Sequence, residues 1–94
     1  MNKSIFITGG TSGIGKALIN QFAKNNYEIF FTYFKNLRQA KEISKKLKEL
    51  KIRHDYTKMD IGKTNSIITA FKKFSKKFNK LSIFINNASP EIKR

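Results

Sequence analysis

The chain of 94 residues contains no cysteine, which excludes disulfides, thiolate metal sites and a cysteine nucleophile together. No apolar run approaches the roughly 20 residues that a membrane-spanning helix needs. Met1-Asn2-Lys3 leads straight into a short apolar stretch, too brief for a secretory signal core and without a cleavage-like sequence. The expectation is a soluble, cytoplasmic protein that makes no membrane contact. Acidic residues are scarce, six against 20 basic ones, and the formal net charge is +14. Arginine is scarce as well: nearly all of the basic residues are lysines, spread along the sequence rather than gathered in one run. Such a charge suggests a nucleic acid or an acidic membrane surface. Nucleic-acid binders, however, lean on arginine for bidentate contacts, and richness in Lys, Asn, Ile and Phe fits AT-rich coding. A nucleic-acid partner is therefore not expected. The length allows one small domain, residues 1–94, with a thin margin of stability.

What is present is an alternation of short apolar stretches with helical periodicity. Ser4 to Thr8 is a β-branched and aromatic stretch that stops at two glycines, which reads as a buried strand. From Gly13 to about Asn25, the apolar residues Ile14, Ala17, Leu18 and Phe22 recur at helical spacing. Asn25-Asn26 supplies the stop, since asparagine tolerates a left-handed turn. Glu28 to Tyr33 reads as a second strand. Leu37, Ala40, Ile43, Leu47 and Leu50 mark one face of a second helix. Arg53 to Met59 reads as a third strand, too polar at His54, Asp55, Tyr56 and Lys58 for burial on both faces and so placed at an edge. His54 reads as an exposed or edge-strand residue with no chemical role. Thr64 can cap a third helix whose apolar stripe is Ile67, Ile68, Phe71, Phe74 and Phe78. Leu81 to Ile85 reads as a fourth strand. Strands joined by helices run parallel, and right-handed crossovers favour an α/β sheet in the order 3-2-1-4 with three helices, a partial Rossmann fold.

The run Thr8-Gly9-Gly10-Thr11-Ser12-Gly13-Ile14-Gly15 sits between the first strand and the first helix. A glycine after the strand permits a tight turn, Gly13 lets the backbone approach a phosphate, and Gly15 lets the helix pack near the strand. The exposed amides at the helix start favour an anion. This run resembles the Thr-Gly-x-x-x-Gly-Ile-Gly signature of the short-chain dehydrogenase/reductase family. Asp60-Ile61, at the end of the third strand, looks like the family's acidic element near the adenine. Asn86-Asn87-Ala88 looks like its Asn-Asn-Ala-Gly element, with Ser89 where the family usually has glycine. The resemblance covers essentially the whole chain, and within the family it points toward reductases of the 3-oxoacyl-carrier-protein type. It implies cofactor contacts by Gly9, Thr11, Ser12, Gly13, Ile14, Gly15, Phe34, Lys35, Asp60, Ile61, Asn87 and Ala88. Asp60 also reads simply as a turn residue, and part of the asparagines' role is structural.

Cofactor selectivity is set at the end of the second strand, where an acid holds the ribose 2′-hydroxyl of NAD. Tyr33, Phe34, Lys35 and Asn36 stand there without a carboxylate, and Lys35 with Arg38 can pair with a 2′-phosphate. NADP(H) is thus expected over NAD(H). The resemblance also implies a serine and a tyrosine-x-x-x-lysine pair for catalysis. Four residues after Tyr27, Tyr33 and Tyr56 stand Phe31, Leu37 and Asp60, never lysine. The chain is therefore expected to be the truncated N-terminal portion of such a reductase, binding cofactor without catalysing alone. The alternatives are a stand-alone nucleotide-binding or regulatory module docking on a full-length relative, and a small basic nucleic-acid binder. In either of the first two, one helix has to cover one face of four strands. Phe6, Phe30 or Phe84 should then stay partly bare, and the fourth strand offers an open edge for self-association or a complementary chain.

Overall fold

The computed structural model describes residues 3–88. Along the chain run β1 (Ser4–Thr8), α1 (Gly13–Lys24), β2 (Glu28–Tyr33), α2 (Leu37–Glu49), β3 (His54–Lys58), α3 (Thr64–Lys77) and β4 (Ile83–Asn86). The four strands form one parallel sheet in the order β3-β2-β1-β4, as the crossover rule requires. Successive side chains of a strand point to opposite faces, and the sequence uses the two faces differently. Ile5, Ile7, Ile29 and Phe31 face α1 and α2, packing with Ile19, Ala23, Ala40, Ile43 and Leu47. Phe6 and Phe30 face α3, packing with Met59, Ala70, Phe74 and Phe78.

Two of the three phenylalanines expected to be bare are not. Phe6 and Phe30 are fully buried, whereas Phe84 is 44% exposed. The reason is width. A helix with its side chains is about 10 Å across and neighbouring strands lie about 4.8 Å apart, so one helix covers two strands. The α3 rings reach over β1 and β2, with centroids at 4.6 Å for Phe6–Phe71, 5.5 Å for Phe6–Phe74 and 5.6 Å for Phe30–Phe74. Phe84, on β4, lies at the margin of that span, touched by Phe71 of α3 on one side, at 5.6 Å between centroids.

Other local expectations shift by a residue or a face. The buried side of α1 carries Gly15, Ile19 and Ala23, while Ile14 is 68% exposed and Ala17 is exposed. Asn26, not Asn25, takes the left-handed conformation, at φ 62°. Leu37, Leu50 and Ile68 stand exposed rather than in the core, at the ends or flank of their helices. Thr64 is the first helical residue of α3 and not its cap; Lys63 holds that place, with no side-chain capping bond. β3 is shorter than the expected 53–59, and β4 begins two residues later than Leu81 and includes Asn86. His54 is at the edge but buried, because α2 covers it: its Nε2 lies 2.7 Å from Ser44 Oγ and its Nδ1 2.9 Å from the Ile52 carbonyl. Ser89 lies outside the described residues.

Replacing Phe30 by alanine should lower the unfolding free energy by about 3–5 kcal/mol, a large part of a small domain's total. Ile68→Ala, on the exposed flank of α3, should change it by less than about 0.5 kcal/mol. Urea denaturation followed by circular dichroism measures both.

Candidate functional site

β1 ends at Thr8, and the chain turns at Gly9 with φ +67°, a conformation that side chains disfavour. The neighbouring strand holds this turn. Gly9 N donates to Thr32 Oγ1 at 3.3 Å, and Gly10 N to the Thr32 carbonyl at 2.8 Å. Helix α1 then starts hard against the turn, so that a Cβ on Gly15 would be driven into the Gly9 carbonyl and the Gly10 backbone. Ser12 caps the helix. Its hydroxyl accepts from Gly15 N at 2.9 Å and donates to the Gly9 carbonyl at 3.0 Å. The amides of Gly13 and Ile14 stand at the open end of the helix, where the first amides have no partner within it and the macrodipole is positive. A Cβ on Gly13 would meet nothing within 4 Å, so the space before this end of α1 is open.

The end of β4 is tied into the same turn. Thr8 Oγ1 donates to Asn86 Oδ1 at 2.8 Å and accepts from the backbone amides of Asn87 at 2.9 Å and Ala88 at 3.0 Å. Asn87 Nδ2 donates to Ser12 Oγ at 2.8 Å and to the Gly9 carbonyl at 3.1 Å. The asparagines thus have a structural role beside any ligand role. Chain direction reverses at this place, since β1 leads toward β2 on one side and β4 flanks it on the other. In open parallel sheets the ligand crevice lies at such a point, beyond the carboxyl ends of the strands.

A groove of about 360 Å³ opens here, lined by Gly9, Thr11, Ser12, Phe34, Lys35, Asn36, Asn87 and Ala88. It brings together most of the residues singled out in the sequence. Lys35 Nζ lies 5.5 Å from the centroid of the Phe34 ring. Asn36 was missed as a lining residue. Its signal was the cap of α2, where its Oδ1 accepts from Gln39 N at 3.0 Å. Gly13, Ile14 and Gly15 belong to the helix start beside the groove and do not line it. Asp60 and Ile61 stand apart, at the end of β3. Asp60 closes a turn there, accepting from Gly62 N at 2.9 Å through Oδ1 and from Lys63 N at 3.0 Å through its carbonyl. Ile61 packs on the α3 side of the core.

A glycine turn at the switch point of a parallel sheet, between its first strand and first helix, defines an open α/β fold of the Rossmann kind. The chain belongs to the short chain dehydrogenase family, whose model matches residues 3–94. It is 34% identical over 89 residues to the uncharacterized oxidoreductase YhdF of Bacillus subtilis, across 95% of this chain and 31% of that protein. It is 24% identical over 88 residues to the 3-oxoacyl-[acyl-carrier-protein] reductase FabG of Staphylococcus epidermidis, across 94% of this chain and 36% of that protein. A short-chain dehydrogenase/reductase from Serratia marcescens superposes with a TM-score of 0.86 at 26% identity, over 92% of this chain and 35% of that one. The chain therefore spans about a third of the length of these relatives and corresponds to their N-terminal part.

The two glycines flanking Ile14 should respond oppositely to alanine. Gly15→Ala should destabilise the fold by about 1–3 kcal/mol, the cost of overpacking. Gly13→Ala should leave it unchanged or more stable by up to about 1 kcal/mol, through a stiffer unfolded chain. Thermal melts of the two variants check this.

Proposed function

We propose that this chain is the cofactor-holding portion of a carbonyl/alcohol oxidoreductase, that it takes NADP(H) in preference to NAD(H), and that it performs no redox chemistry alone. The observation that carries the reading is the convergence of Gly9, Thr11, Ser12, Phe34, Lys35, Asn87 and Ala88 on one groove at the switch point. In this reading the Gly13 and Ile14 amides and the positive end of α1 hold the pyrophosphate. The Thr11 and Ser12 hydroxyls supply further hydrogen bonds. Asn87 and Ala88 border the nicotinamide ribose. Asp60 and Ile61 lie at the same, carboxyl edge of the sheet and border the adenine. When bound, the dinucleotide supplies the hydride chemistry. The serine and tyrosine-x-x-x-lysine set that directs it in the family is not in this sequence as a tyrosine-lysine pair.

Selectivity follows from charge at the end of β2. Among the described residues no carboxylate lines the groove. Glu28 is at the far end of the strand, 3.3 Å from Arg53 Nη1, and Glu42 lies within α2, 3.7 Å from Arg38 Nε. Lys35 lines the groove at the end of β2 and is the cation we assign to a 2′-phosphate. Among the described residues no helix is long and apolar enough to cross a membrane.

Titrating the folded chain with NADPH and NADH separately should show NADPH binding about 10- to 100-fold tighter, the worth of one charge-assisted contact. Lys35→Glu should abolish that difference. Equal or tighter NADH binding by the unaltered chain would sink the NADP(H) assignment.

A further inference from the structure

Strand β2 is buried over residues 29–32, and Ile29, Phe30 and Phe31 suit that setting as apolar side chains. Thr32 does not. It is 1% exposed, and a hydroxyl taken out of water costs free energy unless it finds a hydrogen bond. Valine would fill the same space without that cost. The partner that Thr32 finds is the glycine turn. Its hydroxyl accepts from Gly9 N at 3.3 Å, and its carbonyl accepts from Gly10 N at 2.8 Å. One residue of β2 thus takes up the first two amides of the turn. Close contact reinforces the hold: a Cβ on Gly10 would meet the Phe31 side chain at 2.8 Å, so the turn lies directly on the strand.

Two adjacent glycines leave a backbone permissive, and successive amides gather round an anion wherever several point the same way. Which amides do so here is decided by what the others are bonded to. Those of Gly9 and Gly10 point at β2. The Ser12 amide donates to the Gly9 carbonyl at 3.2 Å, and the Gly15 amide to Ser12 Oγ at 2.9 Å. The amides of Gly13 and Ile14 are left at the open end of α1. We propose that Thr32 is a positioning residue for the dinucleotide pyrophosphate: it fixes which amides of the turn the anion meets, without touching the anion itself. This inference rests on the reading of the groove as a dinucleotide site. The pyrophosphate is common to NADP(H) and NAD(H), so Thr32 governs the grip, whereas Lys35 governs the choice between them.

Thr32→Val keeps the shape and removes the hydroxyl. Titrations at a temperature where circular dichroism shows the variant folded should give Kd values for NADPH and NADH both raised ~10-fold, the worth of one hydrogen bond. The ratio between the two should not change. Thr32→Ser, which keeps the hydroxyl, should bind both within ~2-fold of the unaltered chain. Amide hydrogen exchange followed by NMR gives a reading that needs no variant. Gly9 and Gly10 should be protected in the free chain, and Gly13 and Ile14 only once NADPH is added. Unchanged affinity in Thr32→Val, an equal loss in Thr32→Ser, or a changed ratio would overturn the proposal. So would protection of Gly13 and Ile14 without ligand. Failure of the unaltered chain to bind either dinucleotide would instead overturn the reading of the groove, and this inference with it.

Discussion

Helix α1 can begin where it does only because position 15 has no side chain. Its backbone presses on the Gly9 carbonyl and on Gly10 so closely that a Cβ has no room. That single contact fixes the rotation of the helix. With Gly15 against the turn, Ile19 and Ala23 are carried one and two turns on into the core, and Ile14 is turned out to 68% exposure. It also fixes the height of the helix start, so that the first amides open at the carboxyl edge of the sheet. Packing and the placement of those free amides are thus set by the same missing atom, and neither can be adjusted without the other.

The two faces of the sheet meet different demands. α1 and α2 lie side by side over Ile5, Ile7, Ile29 and Phe31, where small and branched residues allow two helices to approach closely. α3 works alone on the other face and compensates with ring size. Phe71, Phe74 and Phe78 extend its reach to Phe6 and Phe30 through tilted, stacked and edge-on contacts, geometries that aromatic pairs favour. Phe71 also meets Phe84 on β4, at 5.6 Å between centroids, but leaves that ring partly open.

Much of this was legible in the residues. Alternation between short β-branched stretches and helical stripes gave every element, and crossover handedness gave the strand order, because both follow from short-range geometry. The groove was legible at Gly9 to Ser12, Phe34, Lys35, Asn87 and Ala88, since a glycine turn and the end of the next strand must meet at the switch point. Burial was read less well. Ile14 and Ile68 are apolar at helical spacing yet exposed, because spacing fixes a stripe only to within a residue or so; in α1 the Gly15 contact decided which side turned inward. His54 looked solvent-facing because it is polar on an edge strand. Its partners, Ser44 and the Ile52 carbonyl, come from the end of α2 and the turn after it, a meeting that no local pattern encodes. Asn36 was placed at the end of the second strand, and its second part, as the cap of α2, follows only from where that helix starts.

β4 joins the two halves of the molecule in a way that periodicity does not reveal. Its middle residue, Phe84, belongs to the uncovered α3 face, and its last residues, through Asn86, Asn87 and Ala88, hold the Thr8 hydroxyl and the Gly9 carbonyl. Among the described residues it pairs on one side only, with β1. An edge strand with half its flank in water opens at lower free energy than a central one, and each opening would release the Asn87 contacts that steady the turn. The α1 side of the groove is held by covalent proximity and by the Gly15 contact, so it persists through such openings. The β4 side is held through Asn86, Asn87 and Ala88, so the pairing of one short strand sets the shape of the groove's second wall.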